Sequence, residues 1–248
     1  MKRINQISIL VMLMLTLMNG LLSCRRDKEE NIQYYYLPSM VGYDVNMDVV
    51  TLITPFGTFL APQLNDHYIF ALMDGDALWT HIIVNWDDQH TEDYTTVVDI
   101  GYIKLYKDIP QAVEGGKNTT DDFDAPIENV EPLALLFDNY FNNYVAFFVF
   151  THTVHGSTRF AYEMTYDPED ESDIPTIYFK AKEDDTGTLP IYAFEYYYAF
   201  DFKDFLLERE NPDKLEKINI MFYTGTDMGE DVYKPWSGNP LELDFEKK

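Results

Sequence analysis

From Tyr192 to Phe202 the chain carries an aromatic side chain at every second position: Tyr192, Phe194, Tyr196, Tyr198, Phe200 and Phe202. Successive side chains of a β-strand point to opposite faces, so a period of two puts all of these rings on one face. The expected place for such a face is the inside of a sandwich, with Phe in the core and Tyr toward the edges. The run is longer than most strands, so a bulge or break is expected within it. The competing use is an exposed face that stacks on sugars or packs on a protein partner.

The same period governs the rest of the second half. Tyr144-Val145-Ala146-Phe147-Phe148-Val149-Phe150 is apolar throughout, the pattern of a strand buried on both faces. Phe160, Tyr162, Met164 and Tyr166 alternate with Arg159, Ala161, Glu163 and Thr165, a strand with one wet face. Thr176 to Lys180 and Lys217 to Tyr223 read as further strands, Asp204 to Glu210 as a turn or two of helix, and Leu241 to Phe245 as a closing strand. Strands with turns at this spacing predict a β-sandwich over 131–248.

The first half is also strand-rich. Asp48 to Ile53 is β-branched, and His67 to Met73 and Leu78 to Trp86 flank Asp74-Gly75-Asp76 as a hairpin would. Tyr94 to Tyr106 is β-prone, with Gly101 as a bend or bulge. Short strands at this density predict a small OB-like barrel over 34–112. Residues 113–130, rich in Gly and Asp, read as the linker, so the expected class is all-β: a small OB-like barrel domain followed by a β-sandwich domain.

The N-terminus has a different character. Lys2 and Arg3 precede an apolar run from Ile7 to Met18, broken only by Ser8 and Thr16, and Leu21-Leu22-Ser23-Cys24 follows. A basic start, a short apolar core and a small residue at the cut make 1–23 a signal peptide. The run is shorter than the ~20 residues a spanning helix needs. Arg25-Arg26-Asp27-Lys28-Glu29-Glu30 then excludes continuation into a membrane. Leu-Leu-Ser-Cys resembles the bacterial lipobox. That resemblance implies a diacylglycerol on Cys24 and a palmitate-type acyl group on its new amine, with 24–33 as a lipidated tether to the bilayer. The other reading is an ordinary signal peptide with a coincidental Cys. Lys28-Glu29-Glu30 resembles the export signal of Bacteroidetes surface lipoproteins and reads equally as a solvated charge run. The expected location is the outer membrane, facing the periplasm or exposed at the cell surface. The single Cys leaves the mature monomer no disulfide and no cysteine nucleophile.

Charge narrows the partners. Loss of Lys2 and Arg3 with the leader takes 18 basic residues to 16 against 43 acidic ones, and the net charge from −25 to −27. Such a field repels nucleic acid and anionic headgroups and favours cationic partners. No catalytic, cofactor-binding or metal residues are assigned, and no cofactor is expected. His152 and His155 would face opposite sides of a strand. Asp121-Asp122-Asp124, Asp167-Glu169-Asp170-Glu171-Asp173 and Glu183-Asp184-Asp185 lack the EF-hand spacing and read as solvated hairpin tips ahead of calcium sites. Trp79, Trp86 and Trp236 read as core or rim residues before ligand platforms.

The order of lipobox, acidic tether, compact β-domain ending near Tyr102-Ile103-Lys104-Leu105-Tyr106-Lys107-Asp108-Ile109, and sandwich opening at Tyr144 to His152 resembles the NigD-like lipoproteins of Bacteroidetes. Lys180-Ala181-Lys182 stands where many members carry a basic-His pair. The resemblance implies an OB-like domain followed by a β-sandwich. It also implies a non-enzymatic, membrane-anchored binding module with a bacteriocin-immunity role. The alternative is a surface glycan-binding or assembly component of an outer-membrane complex. The expected partners are the bilayer, through acylated Cys24, and a protein, peptide or glycan of unknown identity.

Overall fold

The computed structural model describes residues 31–65, 72–73, 75–89, 95–106, 109–117, 122–138, 143–170, 172–207 and 215–243. The signal peptide, Cys24, most of the tether, most of the His67–Met73 arm of the expected hairpin, His90, Asp121 and Glu171 lie outside them.

Six strands make the N-terminal sheet: β1 (Ile32–Asp44), β2 (Val49–Thr54), β3 (Gly57–Leu60), β4 (Ala77–Asn85), β5 (Thr95–Thr96) and β6 (Asp99–Tyr106). Their order is β5-β3-β2-β1-β4-β6. The β1–β2 turn is set by Asp44, whose Oδ1 accepts from the backbone N–H of Asn46 and Met47 at 2.9 and 3.0 Å. One face buries Leu37, Val41, Leu52, Phe59, Leu78, Ile82 and Val84 as a core. Ser39 and Thr80 enter that core as a pair, their hydroxyls 2.7 Å apart, each satisfying the other. Gly101 is the expected bulge: Tyr102 pairs with His81 and Ile100 with Ile82, leaving Gly101 as the extra residue. The compact β-rich unit expected here is present. Its described strands run as an open path from β5 to β6 and form no closed ladder among themselves. β6 carries exposed Asp99 and Lys104, the kind of charge that keeps an edge unpaired.

The second half contains β7 (Val113–Glu114), β8 (Asn129–Asp138), β9 (Asn143–His155), β10 (Arg159–Tyr166), β11 (Thr176–Asp185), β12 (Ile191–Asp201), a short helix α1 (Lys203–Leu207), β13 (Lys217–Asp227), β14 (Glu230–Pro235) and β15 (Leu241–Glu242). β12-β9-β8 form one sheet, β14-β13-β11-β10-β7 the other, and β15 pairs with β13. Phe148, Phe150 and Phe200 meet Phe179 between the sheets at ring-centroid distances of 4.7, 5.3 and 5.2 Å. The described part of 113–130 lies along this sandwich. Gly115 and Gly116 donate to the Tyr166 carbonyl, Ala125 bridges Ala181, and Ile127 donates to the Tyr223 carbonyl. No described helix is long and apolar enough to cross a membrane.

The β12-β9-β8 sheet is covered on both sides. Its far face packs Leu136, Val145, Phe147 and Ala199 against Met40 and Ala77 of the N-terminal sheet. The continuous apolar run of β9 follows from this, because neither face of its middle meets water. The expected break in the aromatic ladder is absent. β12 pairs with β9 from Ile191↔His155 to Asp201↔Val145 with no register shift, because β9 is 13 residues long and supplies a partner throughout. The inner-face expectation holds toward the C-terminal end, where Phe200 and Phe202 are 0% and 1% exposed, and lapses at Tyr192, which is 62% exposed.

Candidate functional site

Strand alternation places Tyr36, Pro38 and Met40 on one face of β1, and the register extends this face across β4 and β6 in rows. Met40, Ala77 and Tyr106 form the first row, Pro38, Trp79 and Lys104 the second, and Tyr36, His81 and Tyr102 the third. Tyr34 lies beyond them on β1. The facing layer is ordered the same way: Ala134, Phe147 and Ala199, then Glu131, Val149 and Tyr197, then Asn129, Thr151 and Glu195. The first rows pack together and are buried, with Tyr106 against the seam. In the second rows Trp79 meets Tyr197 at 5.0 Å and 56°. In the third rows both walls meet solvent: Tyr36 is 64% exposed and Tyr102 54%, and Glu195 is exposed. The two sheets thus open into a wedge with one aromatic wall and one wall that carries two carboxylates.

Each wall is internally fixed. The Tyr36 and His81 rings stack at 4.0 Å and 2°, and Tyr34 follows at 6.0 Å and 28°. The bulge at Gly101 makes room for this stack: a Cβ there would lie 2.5 Å from His81 Nδ1. Across the wedge, Tyr197 donates to Glu195 Oε2 at 3.1 Å, and Asn129 Nδ2 donates to Glu131 Oε1 at 3.1 Å. Burial, the carboxylate it donates to and that group's charge raise the Tyr197 hydroxyl above its ordinary range. Tyr106, at the closed end, is pushed up to about 12, mainly by burial and also by neighbouring Tyr102 and Tyr197. Lys104 Nζ lies 4.6 Å from the Tyr106 ring centroid, so a cation already rests on the aromatic wall.

The groups singled out in the sequence take other roles. His152 is buried, donates from Nδ1 to the Pro126 carbonyl at 2.9 Å, and stacks on Phe160 at 4.0 Å. Burial, the largest cause, lowers its pKa to about 4 against the opposing pull of the Pro126 carbonyl, Glu128 and Glu183. His155 is exposed on the opposite face and bonds the Leu189 carbonyl at 2.9 Å. Among the described residues no three His, Cys, Asp or Glu side chains gather as a metal site. Asp167 and Asp170 cap turns, accepting from the backbone of Glu169, Ser172 and Thr176. Trp236 packs against the sandwich core, and Trp86 sits at the rim, donating to the Tyr35 hydroxyl at 3.2 Å. Lys180, buried on the outer face of the sandwich, pairs with Asp231 at 2.6 Å beside Tyr223 and Tyr233. A cavity of about 210 Å³ between β8 and β15 is lined by apolar side chains, with Glu242 at its border. Sequence reasoning put Trp79 in the core or rim ahead of a ligand platform and did not single out Tyr34, Tyr36 or His81. The available signal was the run Tyr34-Tyr35-Tyr36, which in a strand must put Tyr34 and Tyr36 on one face and Tyr35 on the other.

No protein-family model and no curated protein matches the sequence. Solved structures do match in shape. An uncharacterized protein from Parabacteroides merdae superposes with a TM-score of 0.59 at 13% identity, over 82% of this chain and 97% of the other. A DUF1344 protein of unknown function from Bacteroides vulgatus does so with a TM-score of 0.52 at 10% identity, over 86% and 93%. A NigD-like immunity protein from Bacteroides caccae is also among the structural neighbours, with a TM-score of 0.46 at 12% identity, over 85% and 96%. The first two likenesses show that the chain shares its all-β, multi-sheet fold with proteins of the Bacteroides group across most of its length.

Proposed function

We propose that the chain is a non-enzymatic, membrane-anchored lipoprotein of NigD-like type that binds its ligand in the aromatic wedge, in an immunity-like role. The observation that carries this reading is the row Tyr36, His81 and Tyr102, held flat and open on a rigid sheet. Large exposed rings on a fixed scaffold offer contact area at little entropic cost. The signal-peptide pattern and Cys24 support the anchor, which would put the wedge at a membrane surface.

Capture from the native cell surface with the lipidated chain tests the reading. A ligand recovered by the wild type and lost by Tyr36→Ala/Tyr102→Ala is the expected result; equal recovery by both contradicts it. Turnover on a panel of glycosides and esters, abolished by one Asp or Glu substitution, would contradict the non-enzymatic part. The coplanar Tyr36–His81 stack favours a second reading, a glycan-binding component of an outer-membrane complex, because a flat ring face suits a sugar ring. Protease shaving of intact cells bears on that reading: removal of the domain supports surface display, and its survival argues against it.

A further inference from the structure

We infer that the wedge is built for a cationic peptide segment, one whose Lys or Arg side chains lie on the Tyr36–His81–Tyr102 wall and face Glu131 and Glu195. This rests on the wedge being the binding surface and adds the chemical class of the ligand. Three observations carry it independently of one another.

The first is the pairing of the walls. A cation over an aromatic face is attracted by the ring quadrupole, and more strongly where water is thinned out. Glu131 and Glu195 stand on the second and third rows of the opposite wall, and both are exposed. Asn129 and Tyr197 hold the two carboxylates by hydrogen bonds at 3.1 Å each, so their charge is fixed at the mouth. A guanidinium or ammonium between the walls would meet a ring on one side and a carboxylate on the other. A neutral sugar would use the ring and leave the charges uncompensated.

The second is Lys104. Its Nζ sits 4.6 Å from the Tyr106 centroid, inside the same wedge. The chain's own cation therefore occupies the inner ring, while among the described residues no cation lies over Tyr34, Tyr36 or Tyr102. The outer row, two rows beyond Tyr106, presents aromatic rings again and leaves them open to another molecule.

The third is the field. At a net charge of −25 the chain steers basic segments toward itself and slows acidic ones. Steering does not select a site, so the test must separate the wedge from charge in general.

Isothermal titration of the full chain in nonionic detergent, with hexa-arginine and with maltohexaose, makes that separation. Hexa-arginine is expected to bind. Tyr36→Ala/Tyr102→Ala, which leaves the net charge unchanged, should weaken it by about tenfold. Glu131→Gln/Glu195→Gln should weaken it by about as much, whereas Asp227→Asn/Glu230→Gln, an equal charge change on the exposed β13–β14 hairpin, should change it less than about twofold. Lys104→Ala should tighten binding by removing the internal competitor. Equal losses from the two carboxylate pairs, no loss from the tyrosine pair, or no hexa-arginine binding would each overturn the inference. Maltohexaose binding that is lost in the tyrosine variant, with hexa-arginine unaffected, would also overturn it while leaving the wedge as the binding surface.

Discussion

The β12-β9-β8 sheet has two faces, and they do different things with similar residues. The face toward the sandwich meets Phe179 with Phe148, Phe150 and Phe200, all within a few per cent of complete burial. The face toward the N-terminal sheet closes only at one end, where Leu136 and Val145 are buried and Ala77 and Ala199 let Phe147 and Met40 approach. It then passes through Trp79 and Tyr197 and opens. Phe has no polar atom, so it is at its best where water is gone; Tyr keeps a hydroxyl that must find water or a partner. The change from Phe to Tyr along these faces marks where packing for stability ends and solvent-facing surface begins.

That contrast can be broken by mutation. The largest effect is expected at Phe148, ringed by Phe150, Phe179, Phe200 and Phe202. Phe148→Ala should cost about 3–5 kcal/mol in urea unfolding, through lost burial and the cavity left behind. Next comes acid. His152 is held neutral, its pKa lowered from 6.5 to about 4 by burial. A depressed histidine pKa means that the unfolded chain takes up the proton first. Its contribution is therefore complete above pH 6.5 and falls as pH drops toward 4, where the loss amounts to about 3 kcal/mol. Unfolding free energy measured between pH 7 and 4 should show this loss, and His152→Gln should remove that part of the slope.

On the wedge side the effects shrink. Gly101→Ala drives a Cβ to 2.5 Å from His81 Nδ1, so the ring stack must shift; a loss of about 1–2 kcal/mol is expected by thermal unfolding. Tyr36→Ala removes an exposed ring and should alter stability by less than about 0.5 kcal/mol. A large loss there would make the aromatic wall a structural device and erase the contrast between the faces.

Much of this was legible in the chain. The alternation in β10 and β12, the all-apolar middle of β9 and the bulge at Gly101 each follow from a local pattern with one geometric meaning. The wedge was not legible, because it depends on registry between distant strands. His81 reads as an isolated histidine until β1 and β6 bring Tyr36 and Tyr102 to either side of it. Likewise, the exposure of Tyr192 and the burial of Phe200 belong to one unbroken period. Only the extent of the covering sheet separates them. The charge of the chain pointed to a basic partner, but placing that charge at Glu131 and Glu195 required the fold.

The most direct test follows the rings themselves. Side-chain NMR signals of the aromatic residues, recorded while hexa-arginine is titrated into the chain, report where the cation sits. The expected result is shifts confined to Tyr34, Tyr36, Trp79, His81, Tyr102 and Tyr197. Shifts centred on Tyr178, Tyr223 and Tyr233 of the opposite outer face, or spread evenly over the surface, would contradict the wedge as the binding site.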